Sequence, residues 1–541
     1  MNFNDINVIS KLKYHKLKHM THPEQILIAK PTFKLFLFHN KRNRLILYLS
    51  AAAIITQFAI FKYLYPFASY IHGDSFSYLG AAANNLTLNT YLIGYSKFLR
   101  VFNTFAKPDY TLVAFQYLFI QSSVLFLLFS IFYFYKTGQI IQNILLCFMV
   151  FNPLFLHLGN MVSSDGVFLA LSCTWFALLL WIIHQPTKKI IFWQAIILLI
   201  AFTMRYNALI YPFIAGVAFW LSALPWKKKL AGVGLGLTLC GLFVGFTMYQ
   251  YKKLTGYWQY SPFSGWQFSN NAMYAYRSVD SADRKPVPDK FRALDNRIRN
   301  FYYQTKNKAK FPTEQAEAST FYMWSPSMPL MQYRDSLFRK TKDSLAEFKK
   351  WASMGPFYKE YGLYIIRKYP GHFLMHFVWP NSRKYYAPPI EFLEEYNGGN
   401  DLVNMGTKEW FGYKSPKVKV RMGNKKVWVL NFYPILSGII NIVMLFGLFY
   451  YMLLKGWQYN STFNKTIIMA GAVWLINACF TIFASSAALR FQSFPIILTT
   501  TFALLLIDWM IQLMRSMQLE AKSKQKAVLG LDNDIKESVL A

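Results

Sequence analysis

Residues 188–229 read KKIIFWQAIILLIAFTMRYNALIYPFIAGVAFWLSALPWKKK: two apolar runs joined at Arg205 and closed at each end by lysines. Lysine clusters beside apolar spans stay on the cytoplasmic side of a membrane. Lys188–Lys189 and Lys227–Lys229 can both lie there only if the chain crosses the bilayer and returns between them. The first run, 190–204, is short: about 15 residues, or roughly 22 Å of helix at 1.5 Å each. The flanking charges nevertheless require it to cross, with Arg205 marking the far turn.

Worked outward, the same reading places spans near 45–66, 110–135, 139–159, 162–184, 190–204, 206–224, 230–251, 431–454, 466–484 and 489–512, each judged against the roughly 20 apolar residues a crossing needs. With the N-terminus cytoplasmic, ten crossings bring every Lys/Arg cluster inside: KRNR before the first span, Lys136, Lys188–Lys189, Lys227–Lys229, Lys455, Lys465 and the tail after Arg515. The expected fold is therefore an all-α polytopic membrane protein of about ten transmembrane helices, with a large, mixed but mainly helical extracytoplasmic segment. Its parts are a basic cytoplasmic segment 1–44, a transmembrane module 45–251 with a first outer loop at 67–109, an extracytoplasmic domain 252–430, C-terminal membrane helices 431–512 and a cytoplasmic tail 513–541. Helical patches are expected at 334–352 and 356–378. The first apolar run is expected to act as an uncleaved anchor in a bacterial plasma membrane.

Composition supports a lipid-facing chain: 54% of it is hydrophobic and only 15% charged. A net charge of +33 would point to nucleic acid in a soluble protein, but no nucleic-acid motif accompanies it, and lysines flanking membrane spans account for it. Cys147, Cys173, Cys240 and Cys479 all lie in apolar runs, so no disulfide framework is implied. GVGLGLTLCGLFVG at 232–245 has neither a preceding strand nor a Lys-Ser/Thr ending, and reads as close helix packing rather than a phosphate loop. Neither H-E-x-x-H nor G-x-S-x-G occurs. Asp532-Asn533-Asp534 has an Asp-x-Asp form, but it lies in a polar tail. No metal or cofactor is called for.

The chain's rare charges at the membrane edge fall on one side. Asp74, in HGDSFSYLG, follows the first span at once, beside His72, Ser75 and Tyr78; a partly desolvated carboxylate there is a general base or a helix N-cap. Asp165, in NMVSSDGVFLAL, sits a turn inside the fourth span, where an ionised group either serves a cavity or caps a helix begun by Ser163 or Ser164. Arg205 and Arg490 (SSAALRFQSFP) offer planar forks that grip phosphate, or that snorkel to headgroups. Span parity, which makes no use of these four residues, assigns them all to the outer face.

As a set, these stretches resemble the glycosyltransferase C superfamily of polytopic enzymes, and most of all its protein O-mannosyltransferase and lipid A aminoarabinose transferase branch. The likeness spans roughly 45–250 and 430–512. It rests on Asp74 with Tyr78, IGYSKFL at 93–99, NPLFLHLGNMVSSDGVFLAL at 152–171, MRYNALIYP at 204–212 and the arginine of LRFQSFP. Two departures stand out: Ser75 replaces the acidic partner that follows the aspartate in protein mannosyltransferases, and Gly94-Tyr95-Ser96 lacks the proline of the corresponding motif.

The resemblance implies an inverting transferase that moves a hexose or pentose from a polyprenyl phosphate to a protein, lipid or glycan acceptor. In it Asp74 is the base, Arg205 and Arg490 stabilise the departing phosphate, and Asp165, Tyr78, Asn207 and His72 contact substrate. Two alternatives remain at this point. One is an O-antigen ligase or polymerase with its chemistry in the large loop, for example at His372 or Arg383. The other is a lipid or glycan flippase.

Overall fold

In the computed structural model the described residues are 31–307, 310–311, 316–339 and 346–539, with side chains to 525. The chain divides after Ala52 into a short N-terminal unit and a large one running from Ala53 to Ala541. In the first, Thr32 Oγ1 accepts from the Leu35 amide (3.4 Å) to start the helix Phe33–Phe38. A second helix, Lys41–Leu64, begins there and continues into the larger unit.

Helices make up the architecture; among the described residues no strand occurs, only isolated bridges. Among the described residues, eight helical stretches are long and apolar enough to cross a membrane: Lys41–Leu64, Asp109–Phe134, Gln139–Asn160, Ser164–His184, Trp226–Thr255, Trp428–Leu453, Ser461–Ala484 and Ser493–Gln525. The chain is thus an all-α, multi-pass membrane protein. Large apolar side chains such as Ile55, Trp220, Leu242 and Ile435 are exposed around it. In water such a surface would be a liability; against lipid it is what the bilayer selects. Ser164–His184 is the central helix, buried along most of its length, while Trp226–Thr255 lies largely uncovered.

The lysine-bracketed stretch forms a helix, Lys188–Met204, and then a turn. Arg205 is extended (φ −147°, ψ 145°), Tyr206–Ile210 is a 3-10 turn and Tyr211–Leu221 a second helix. Pro212 sits in the first turn of that second helix, where its missing N–H costs nothing. The second arm is therefore shorter than the 206–224 expected, and its regular part is only 11 residues.

Other boundaries move as well. The expected span 139–159 breaks into Gln139–Val150 and Pro153–Asn160, because Pro153 cannot continue a helix and Asn152 caps the new one, its Oδ1 accepting from the Leu154 amide (3.1 Å). The last helix does not stop near 512: Ser493–Val539 runs on through the polar tail, which contains no proline and no glycine before Gly530 to end it. The patch expected at 334–352 is not one helix but Pro329–Phe338 and Glu347–Ser353, with 340–345 outside the described residues. In the Gly-rich helix, a Cβ on Gly232 would fall 2.3 Å from the Phe219 ring, so this glycine does permit close packing; Gly234, Gly241 and Gly245 face open space.

Segment 252–430 has its own core. Helix Pro262–Arg277 packs along Gly355–Lys368, burying Trp266 against Tyr358 (centroids 4.6 Å, edge-on). Asp295, on the helix Asp289–Gln304, is buried there and satisfied by Arg299 (2.6 Å) and the Tyr361 hydroxyl (3.1 Å).

Candidate functional site

Backbone pairing sets the site. After the first span, the Ser69 amide donates to the Asn160 carbonyl (2.9 Å) and the Val162 amide to the Ser69 carbonyl (3.0 Å). This short parallel bridge brings the start of helix His72–Ala83 beside the start of helix Ser164–His184, and so Asp74 beside Asp165. Buried Gln116 fixes the same corner: its Nε2 donates to the Gly159 (2.9 Å) and Met161 (3.0 Å) carbonyls, and its Oε1 accepts from Tyr95 (2.8 Å). Gly94, next to Tyr95, lies against the end of Lys188–Met204; a Cβ there would come within 2.5 Å of the Thr203 carbonyl oxygen. Gly94 thus lets the first-loop helix Gly94–Phe105 approach Thr203, two residues before Arg205, while Tyr95 ties the helix to Gln116.

Arg490 arrives from the other end of the sequence. It lies in the 3-10 turn Leu489–Phe491, and Asn381 holds the approach. Asn381 Nδ2 donates to the carbonyls of Ile482 (2.9 Å) and Ser485 (2.5 Å), and its Oδ1 accepts from the Ala487 amide (2.9 Å). The Leu489 amide then donates to the Pro389 carbonyl (2.8 Å).

The four charged residues meet. Arg490 Nη1 donates to Asp74 Oδ2 (2.8 Å) and Asp165 Oδ2 (3.2 Å), while Arg205 Nη1 is ion-paired with Asp165 Oδ1. Ser163 caps the central helix and bonds the Asp165 carboxylate; Ser164 Oγ accepts from Arg205 (3.3 Å) and pairs with the Tyr78 hydroxyl (3.1 Å). Asp74 Oδ1 accepts from the Tyr91 hydroxyl (2.6 Å). Asp74 does not act as an N-cap: the cap residue is Ile71, and Asp74 lies in the first turn with its carboxylate turned to Arg490 and Tyr91. Asp165 also lies in a first turn, capped by Ser163, as the capping alternative has it; it carries the ion pairs in addition.

Both guanidiniums stack. Arg490 lies over Phe491 (4.4 Å) and Phe392 (4.7 Å), and Arg205 over Phe491 (4.8 Å). Burial pulls the Arg490 pKa down, but the charges of Asp74 and Asp165 outweigh it and raise the group above its ordinary value, so it stays cationic. Burial, then the Asp74 charge, push the Tyr91 phenol well above the usual range and keep it a donor.

The cluster borders a cavity of about 1110 Å³, large enough for a substantial ligand. Asp74, Tyr78, Arg205, Asn207 and Arg490 line it. Asp165 sits behind them with its side chain 1% exposed, bridging the two arginines. His72 lies outside this wall, exposed and near Phe76 (centroids 4.9 Å). Arg383 pairs with Glu317 on the surface (2.7 Å) and His372 lies beside His376; neither belongs to the cavity. Met204, Leu209, Met248 and Phe480 supply an apolar part of the wall.

Sequence reasoning missed Tyr91, Asn381, Phe392 and Phe491. Only Phe491, next to Arg490, had a neighbour that could have drawn attention to it. Among the described residues no group of three or more His, Cys, Asp or Glu is placed to hold a metal ion; Asp532-Asn533-Asp534 lies outside the described side chains. No family model, curated protein or solved structure matches this chain.

Proposed function

We propose that this cavity transfers a sugar from a polyprenyl-phosphate donor to an acceptor hydroxyl on the outer face of a bacterial plasma membrane. The observation that carries the reading is the convergence of Asp74, Asp165, Arg205 and Arg490, from four distant segments, beside a cavity with both apolar and polar walls. Ionised groups at a membrane edge are costly unless they serve a partner or a cavity.

The chemistry follows from charge balance. The acceptor oxygen attacks the anomeric carbon, the bond from that carbon to the phosphate oxygen breaks, and the phosphate leaves with the electron pair. Asp74 takes the acceptor's proton as general base. Two carboxylates and two guanidiniums sum to zero before the reaction. Once Asp74 is protonated the cluster carries +1, at the moment the departing phosphate gains a negative charge. Arg205 is the phosphate ligand: only its Nη1 is engaged by protein among the described residues, leaving Nε and Nη2 for an oxygen. Arg490, 5% exposed and bonded to both aspartates, acts by holding Asp74. The apolar wall accepts the isoprenoid chain, and Tyr78 and Asn207 face the sugar.

The topology proposed with this reaction is ten crossings with both termini cytoplasmic. The Lys188–Met204 and Tyr206–Leu221 arms form the extra pair. Single cysteines introduced at Gly423 and at Lys228 test it: a membrane-impermeant thiol reagent applied to intact cells should label the first and spare the second.

The deciding assay uses purified protein, radiolabelled polyprenyl-phosphate sugar and Asp74→Asn. Wild type should release polyprenyl phosphate, and the variant should be slower by roughly 10²–10⁴-fold, the usual scale of general-base help. A variant as fast as wild type removes Asp74 from the mechanism. A wild type that releases no lipid phosphate with any acceptor class refutes the transferase reading.

A further inference from the structure

A second cavity, of about 830 Å³, opens in segment 252–430 along the helix Asp289–Gln304. One row of that helix carries Asn296, Asn300 and Gln304, four residues apart and so on one face, and all three line the groove. These amides are exposed and engage no other protein group among the described residues. Arg297, also in the wall, has no carboxylate partner among the described residues, whereas the neighbouring Arg292 and Arg299 are paired with Asp289 and Asp295. Phe301 and Phe321, half-buried, close the wall with flat apolar surface. Among the described residues no aspartate or glutamate lines it.

We infer that this groove is a glycan-binding site. A side-chain amide offers donors and an acceptor together, which matches a sugar hydroxyl that also does both. A row of amides spaced one helical turn apart, about 6 Å, repeats that match along a chain of sugars. Phenylalanine faces suit the C–H faces of pyranose rings, and Arg297, beside a wall whose described residues include no carboxylate, admits neutral or acidic sugars and disfavours cations.

The short helix Phe321–Trp324 joins the two cavities. Phe321 faces the groove, while Thr320 and Trp324 line the cavity that holds Asp74. A glycan held in the groove is therefore one helical turn from the wall of the cavity that holds Asp74. That the glycan is the acceptor rests on the transferase reading; that the groove binds it does not.

The test is direct binding to the full chain in lipid nanodiscs, measured by saturation-transfer NMR and calorimetry. The probes are a neutral tetrasaccharide of N-acetylglucosamine and a tetrasaccharide of uronic acid. At least one should bind, with Asn300→Ala/Gln304→Ala weakening it tenfold or more and Asp74→Asn leaving it unchanged. Arg297→Gln should weaken the acidic probe selectively. If neither tetrasaccharide binds, or if the double variant binds as wild type does, the groove is not a glycan site. Transfer activity without groove binding overturns this inference alone, and groove binding without transfer by wild type overturns the transferase alone.

Discussion

The central helix Ser164–His184 has two polar ends about 30 Å apart, built on opposite plans. At its start, four ionised residues pair across Asp165 beside a large cavity. At its finish the side chains share hydrogen bonds: His184 Nε2 lies 2.6 Å from the Tyr135 hydroxyl, which also bonds Thr466, and Trp181 donates to Ser130 (3.0 Å). A carboxylate on the last helix, Asp508, accepts from the Gly138 amide (2.9 Å) and so caps the helix Gln139–Val150. Holding helices together at a membrane edge needs only the second kind of arrangement. Ionised pairs are the dearer solution, since desolvation cancels much of their attraction. Their presence at the start of the helix marks that end as the one with work to do.

Substitutions should separate the two ends. The largest effect is expected from Asp165→Asn, which leaves Arg205 and Arg490 without their shared carboxylate. Breaking a buried pair in this way costs about 3–5 kcal/mol, so the thermal midpoint in detergent should fall sharply and transfer should cease. A variant as stable as wild type would mean that Asp165 is not the keystone of the cluster. Arg205→Lys comes next. It keeps the charge but loses the planar fork and its stacking on Phe491, and transfer should drop by about 10–100-fold with little change in melting. An unchanged rate would show that the phosphate is held elsewhere. At the other end, Tyr135→Phe removes a buried hydroxyl that serves both His184 and Thr466. It should cost about 1–2 kcal/mol of stability and leave transfer per folded molecule intact; a loss of rate there would couple the two ends and break the contrast.

How much of this was legible in the sequence depended on how local the signal was. The helical membrane class could be read because apolar length and flanking lysines are properties of contiguous residues. The turn at Arg205 was legible too, because lysines bracket the two runs that it joins. The helix break at Asn152–Pro153 was less visible: it lies in an apolar run that composition treats as continuous, and only capping and proline geometry divide it. The four charges could be named, since they are rare and lie at span ends. Their pairing could not: it depends on the Ser69–Asn160 and Ser69–Val162 bonds and on Asn381 anchoring the turn before Arg490, contacts between residues up to 106 apart in the chain. His72 was drawn in by its closeness to Asp74 in sequence, yet consecutive residues of a helix point about 100° apart, and two steps carry it away from the cavity wall. Tyr91 escaped notice because it lies in a turn with no motif around it, although it donates directly to Asp74.

Tyr91 supplies the finest division between the ends, because it is an uncharged donor to Asp74, the proposed base. Burial and the Asp74 charge raise its pKa above the ordinary 10.0. A group whose folded pKa is raised gives stability that is complete below its unfolded value and fades only as pH climbs beyond it. Arg490, raised above its ordinary value, behaves likewise at still higher pH. Neither group should therefore contribute a pH-dependent change in melting between about pH 6 and pH 9. Tyr91→Phe should slow transfer several-fold, chiefly through kcat, because Asp74 keeps its bond to Arg490 but loses the one that orients its second oxygen. The rate profile from pH 7 to pH 9 should keep the wild-type shape. If wild-type transfer instead declines across that range and the decline vanishes in Tyr91→Phe, the phenol is titrating, and Asp74 is held by a donor that can be switched off.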